Sequence, residues 1–119
     1  MKTRSAKNKG QRLQKYIVER LRKAYGLDLE ETSCFEGDIQ ARIMGASGVD
    51  IMLSPYAKTL IPFDIESKNV EKLNLWGSID QTVANTGKGR IPLLVIKKNH
   101  RKPYIVLELE DFIQCLKKD

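Results

Sequence analysis

The sequence predicts an α/β fold, a single domain in which helices flank a central mixed β-sheet. Three observations carry that expectation. Leu13, Ile17 and Leu21 recur four residues apart, the spacing of one helix face. Thr59 to Lys68 alternates in the manner of a strand, and Ile91 to Lys97 is a nearly continuous apolar run, typical of a strand buried on both faces. With 119 residues the chain has room for one modest core and no second domain.

Taken in order, residues 1–8 lack apolar periodicity and read as a disordered basic tail, with the folded domain spanning 9–119. A helix follows from Gln11, with Tyr16 and Ala24 placed on its apolar side, Arg12, Lys15, Glu19, Arg22 and Lys23 opposite, and Gly26 as its stop. Leu27 to Thr32 reads as a short first strand or an extended linker, and Ser33 to Gly48, rich in glycine, as mostly loop. Val49 to Leu53 is the second strand. A hairpin-like return at Ser54 to Lys58 leads into the third, Thr59 to Lys68, where Pro62 argues for an edge or a bulge. A second helix is expected from about Leu73 to Thr86, burying Leu75, Ile79 and Val83 with Trp76 beside them. After the Ile91 strand come a polar turn, a last strand from Pro103 to Leu107 and a closing helix from Glu110 to Lys117. The expected order is α-β-β-β-α-β-β-α.

Composition narrows the function. No apolar run approaches the roughly 18 residues of a membrane span, and the basic N-terminus lacks the apolar stretch of a secretory signal. No membrane association is expected, and the cytoplasm, of a prokaryote or of a phage-infected cell, is the expected compartment. Cys34 and Cys115 match no metal-ligand spacing and read as reduced thiols, and a single histidine, His100, makes a zinc site improbable. The net charge of +6 is uneven. Residues 1–23 hold nine Lys or Arg against Glu19 alone, which leaves twelve basic and fourteen acidic residues for the rest. A local cationic arm suits a polyanion partner, although basic termini can also be mere solvated tails.

The chemistry concentrates between Gly48 and Asn69. On a strand, Glu66 and Lys68 share one face while Phe63, Ile65 and Ser67 take the other. The return at Ser54 to Lys58 can set Asp50 beside Glu66. Two carboxylates and an ammonium on one rim can hold a hard divalent cation, such as Mg²⁺, together with a phosphodiester. Asp50 and Glu66 are the expected metal ligands, with Mn²⁺ expected to substitute and no small-molecule cofactor. Lys68 is expected to position the attacking water and offset charge on the phosphate. Asp64, on the Glu66 face, is either a supporting carboxylate or, the favoured reading, a solvated one. Trp76 and Tyr16 could stack on bases, but aromatics at helical spacing more often belong to the core. Lys7, Lys9, Arg12, Lys15, Arg42, Arg90, Lys97 and Lys98 are candidates for DNA-backbone contacts.

These landmarks resemble the PD-(D/E)XK nuclease superfamily, in particular archaeal-type Holliday junction resolvases and related small phage endonucleases. The pattern is carried by Lys9-Gly10 followed by Gln14, by Arg42 to Asp50 (RIMGASGVD), by Ile65-Glu66-Ser67-Lys68, and by Gly89 to Lys97 with its Ile-Pro pair. The chain departs from that pattern at Val49, where a proline is usual, and at Gln14, where the first helix often carries Glu. The resemblance implies a restriction endonuclease-like fold and Mg²⁺-dependent hydrolysis of branched or double-stranded DNA by a homodimer. It further implies roles for Gln14 and Gln81 facing the site, for Ser67 as a ligand position and for Ser47 near the phosphate. Other readings are a same-fold nuclease acting on flaps, single strands or foreign DNA, a DNA-binding module without catalysis, and an RNA-binding basic domain, which the acidic centre fits poorly.

Overall fold

The computed structural model describes residues 2–43 and 45–117, with side chains from Ser5 onward. Met1, Met44 within the RIMGASGVD run, Lys118 and Asp119 lie outside the described residues. The elements are α1 (Lys2–Tyr25), β1 (Ile39–Ala41), β2 (Ile51–Leu53), α2 (Pro55–Leu60), β3 (Phe63–Asn69), α3 (Leu75–Asn85), β4 (Ile91–Lys97), β5 (Tyr104–Val106) and α4 (Leu109–Leu116). The α/β class and the mixed sheet are present, with a different partition of the strands. β3 runs parallel to β4, β5 pairs antiparallel on the other side of β4, and β1 and β2 form a separate antiparallel pair.

α1 extends to Lys2, so the helix includes most of the segment expected to be a disordered tail. Its buried residues are Leu13, Gln14, Ile17, Val18 and Arg22, the two adjacent rows of a wide helix face. Tyr16 and Ala24, expected inside, are exposed. Gly26 ends the helix with φ +66°, and Leu27 N–H bonds back to the Arg22 carbonyl. Arg22 faces inward, contrary to its expected place on the cationic side. It donates to the carbonyls of Ile39, Ser33 and Glu36 and pairs with Asp28 at 3.5 Å. Asp28 in turn accepts the N–H groups of Asp38 and Ile39. Of the two readings of Leu27 to Thr32, a short strand or a linker, the strand is absent, and the first strand forms instead at Ile39, inside the stretch expected to be mostly loop.

The return between β2 and β3 is a short helix rather than a hairpin. Ser54 caps it by accepting Ala57 N–H, and Pro55 occupies the first turn, where its missing N–H costs nothing. β3 consequently begins at Phe63, beyond Pro62, and lies at the edge of its sheet. The core joins one sheet face (Ile65, Leu93, Val95) to α1, to Ile39, Ala41 and Ile51 of the hairpin, and to Ala57 and Ile61. In β4, Leu93, Leu94 and Val95 are buried in succession, as expected for a strand covered on both faces.

α3 covers the opposite face, but not with the line expected of it. Ser78 and Thr82 are its buried residues, whereas Leu75, Trp76 and Val83 are exposed. Each buried hydroxyl bonds a carbonyl one turn back, Ser78 to Asn74 and Thr82 to Ser78, so the polar groups are satisfied within the helix. The apolar residues of α3 face α4 across an apolar cavity of about 540 Å³. Cys34 and Cys115 are free and half-buried. Among the described residues no helix is long and apolar enough to cross a membrane.

Candidate active site

Asp50 is placed by the turn that joins β1 to β2. Arg42 N–H bonds the Asp50 carbonyl, and Arg42 Nε bonds the Val49 carbonyl at 2.6 Å. Gly48 adopts φ +100°, and a Cβ there would lie 2.9 Å from the Arg42 guanidinium, so glycine alone lets the arginine close the turn. Arg42 is thereby a structural clasp as well as a cation.

From that turn the Asp50 carboxylate reaches across to β3. Its Oδ2 accepts Ser67 N–H at 2.8 Å and lies 3.4 Å from Ser67 Oγ. The β3–β4 ladder explains why this N–H is available. Ile91 N–H bonds the Pro62 carbonyl and Val70 N–H bonds the Lys97 carbonyl, so the even-numbered residues of β3 point their backbone at β4. Ser67 is odd-numbered, and both its N–H and its C=O face the other edge, where Asp50 stands. One side chain therefore ties the hairpin to the sheet and fixes its own carboxylate in doing so.

Glu66 projects from the α3 face of β3 and is 4% exposed. Its Oε1 accepts the Asn85 amide at 2.9 Å. Burial pushes its carboxyl up to about 7; the Asn85 hydrogen bond opposes that, the neighbouring Asp50 carboxylate adds to it, and the Lys68 ammonium pulls it down. Lys68 forms no salt bridge among the described residues.

These groups share one pocket of about 430 Å³. Asp50, Glu66, Ser67 and Lys68 line it together with Gln14 from α1, Gln81 from α3 and Ser47 from the glycine-rich turn. Every residue expected at the catalytic centre thus lies on a single cavity. Asn85, overlooked in the sequence, also lines it. Its signal was present, because Gln81 and Asn85 are four apart and hence on one face of α3.

The expected backbone cations divide. Arg90 is engaged within the fold. It pairs with Asp64 at 2.9 Å and donates to the carbonyls of Lys58, Ile61 and Phe63, joining α2 to the start of β3. Asp64, expected to be solvated, is 9% exposed and also accepts Gly87 N–H. Lys9 pairs with Glu71 at 3.2 Å. Lys7, Arg12, Lys15 and Lys98 are exposed and Lys97 is half-buried. Trp76 is 74% exposed and lines the α3–α4 cavity, away from this pocket.

The donor set suits a hard divalent cation, which prefers oxygen ligands and retains several waters. Two carboxylates lie close enough for one to hinder ionisation of the other, a repulsion that a cation relieves. The Ser67 carbonyl faces the same strand edge, and the Gln14 and Gln81 amides line the pocket, the Gln14 Oε1 accepting the Gln11 amide at 3.4 Å. Among the described residues no group of three or more His, Cys, Asp or Glu side chains is gathered to hold a metal, so the acidic share of the site is two carboxylates. No protein-family model, curated protein or solved structure matches the chain.

Proposed function

We propose that the chain is a Mg²⁺-dependent, structure-selective DNA endonuclease of the restriction endonuclease-like fold, acting as a Holliday junction resolvase. The observation that carries the reading is the meeting of Asp50, from the turn that leads into β2, with Glu66 and Lys68 of β3 on one pocket, although β2 and β3 share no backbone pairing. On this reading β1–β2 and β3–β4–β5 act as one platform, joined through Asp50 and Ser67.

Asp50, Glu66 and the Ser67 carbonyl would hold the cation, with Mn²⁺ able to substitute. Bound there, it supplies Lewis acidity and a water of lowered pKa. The chain's own residues do the rest. Lys68 places a positive charge beside the two acids, where it offsets the negative charge that builds on the phosphate during in-line attack. The Gln14 and Gln81 amides can each accept and donate a hydrogen bond, which orients a water without adding charge. Ser47 offers a hydroxyl to a phosphate oxygen from the turn above Asp50. Glu66 must give up its proton before it serves as a ligand, so ligation strengthens as the pH rises through about 7.

The cationic face of α1 supplies affinity without reading bases, which favours recognition of DNA shape over sequence. A four-way junction needs two symmetric cuts, so the working unit on this reading is a two-fold pair, a state that the mass in solution checks. The test is cleavage of a labelled four-way junction, a flap and a plain duplex in Mg²⁺ and then in EDTA. Paired nicks across the junction in Mg²⁺ alone support the resolvase reading. Cleavage confined to flaps moves the assignment to a flap nuclease, and binding without any product assigns a module that does not cut.

A further inference from the structure

A second cleft adjoins the Asp50 pocket, on the neighbouring face of α1, between α1 and the β4–β5 turn. We propose that it is a subsite for an unpaired nucleotide flanking the scissile phosphate; this rests on the nuclease reading above. The cleft measures about 410 Å³, within the rough range of 300–1,000 Å³ for clefts that hold small ligands. Lys9, Arg12, Tyr16, Asn69, Lys97 and His100 are among the residues that line it.

Three features point to a nucleotide. The first is charge. Arg12 from α1 and Lys97 at the end of β4 both line the cleft, so cations stand on both walls, with Lys9 beside them paired to Glu71. Glu71, at the rim, is half exposed and already engaged. It accepts Lys9 Nζ at 3.2 Å and Asn99 N–H at 2.7 Å, holding the turn against α1 rather than filling the cleft. The second is an aromatic surface. Lys9, Arg12 and Tyr16 are spaced three and four apart on α1 and so share one helix face. Tyr16 is 50% exposed, where its helical spacing favours a core position, and Pro103 lines the same cleft. A ring beside cations is the combination that binds single-stranded nucleic acid, with the backbone held by charge and a base stacked.

The third feature is continuity with the catalytic pocket. Asn69 lines both, following directly on Glu66-Ser67-Lys68 in β3, and the neighbours Lys9 and Gly10 line the cleft and the pocket respectively. Asn69 Nδ2 donates to the Lys9 carbonyl at 3.3 Å, while its Oδ1 is buried without a partner among the described residues. A strand leaving the pocket therefore meets this cleft at the next residue along two elements. Bases inside a duplex present no free face to Tyr16, so the nucleotide received is one released at a branch or single-stranded end.

The test uses the full chain in EDTA, where no cleavage occurs, with a labelled oligodeoxythymidine of about twelve residues and an abasic strand of the same length. Fluorescence anisotropy should find the thymidine strand bound about fivefold or more tighter than the abasic one. Tyr16→Ala should erase that difference. Arg12→Ala with Lys97→Ala should weaken both strands and flatten the salt dependence. Equal affinity for the two strands, a preference that survives Tyr16→Ala, or no measurable binding of either strand overturns the subsite. The readout involves no cleavage, so a failed junction assay and a failed subsite are separate results.

Discussion

Glu66 bears opposing demands on a single carboxyl. The fold buries it and places Asp50 beside it, which favours the neutral acid, whereas the proposed ligation would need the anion. Its folded pKa of about 7 exceeds the ordinary 4.5, so between those values the folded state keeps a proton that the unfolded chain has lost. Stability therefore falls as pH rises through that window, by up to about 3 kcal/mol above pH 7, and the loss is absent below pH 4.5. Glu66→Gln retains an oxygen for Asn85 and removes the titration. Its melting temperature should exceed wild type by several degrees at pH 8 and match it near pH 4. Mg²⁺ should raise the wild-type melting temperature at pH 8 and leave that of Glu66→Gln unchanged. A variant less stable than wild type at both pH values would contradict this account of the residue. Cleavage by the wild type at subsaturating Mg²⁺ should rise with pH through about 7, as measured by single-turnover rates, and saturating Mg²⁺ should move that rise to lower pH.

Between elements, two arginines illustrate what a sequence conceals. Arg22 and Arg90 look like members of a cationic surface, yet each is turned inward to collect backbone carbonyls and one carboxylate. Arg90→Ala should thus destabilise the chain by about 2–4 kcal/mol in urea unfolding, because Asp64 and the carbonyls of Ile61 and Phe63 lose their partner. Its DNA affinity, measured under folding conditions, should stay within about threefold of wild type, in contrast to Arg12→Ala. Unchanged stability with weakened DNA binding would return Arg90 to the binding surface. Ser54→Ala, which strips the cap from α2, should cost about 1 kcal/mol in the same assay. What the sequence displayed was chemistry with a local cause. The apolar run of β4, the Gly26 stop and the alternation that separates Glu66 from Ile65 depend on near neighbours. The inward turn of Arg22 depends on carbonyls 11 to 17 residues away. The Ser54-Pro55 pair is a legible helix start, because a serine cap followed by proline in the first turn suits a helix as well as a turn. α3 buries Ser78 and Thr82 because their hydroxyls are satisfied within the helix, a compensation that counting apolar residues misses.

Over the whole molecule, the joint between the hairpin and the sheet is also the centre of the proposed site. β2 and β3 share no ladder, and the Asp50 carboxylate on Ser67 N–H links them at the point where a cation would bind. The expected meeting of Asp50 and Glu66 is present, although a helix rather than a hairpin delivers it. Charge is distributed to match, with acids inside the pocket and the α1 cations outside. Junction binding should therefore weaken steeply with salt while the bound complex keeps its cleavage rate.

The most direct test is single-turnover cleavage of a labelled four-way junction in Mg²⁺ by wild type, Asp50→Ala, Glu66→Ala and Lys68→Ala, with the bound fraction measured alongside. The account predicts Mg²⁺-dependent cutting by wild type, a loss of about a hundredfold or more in each variant, and junction binding within about threefold of wild type. Cutting at the wild-type rate by any one variant, or none by the wild type itself, would contradict it.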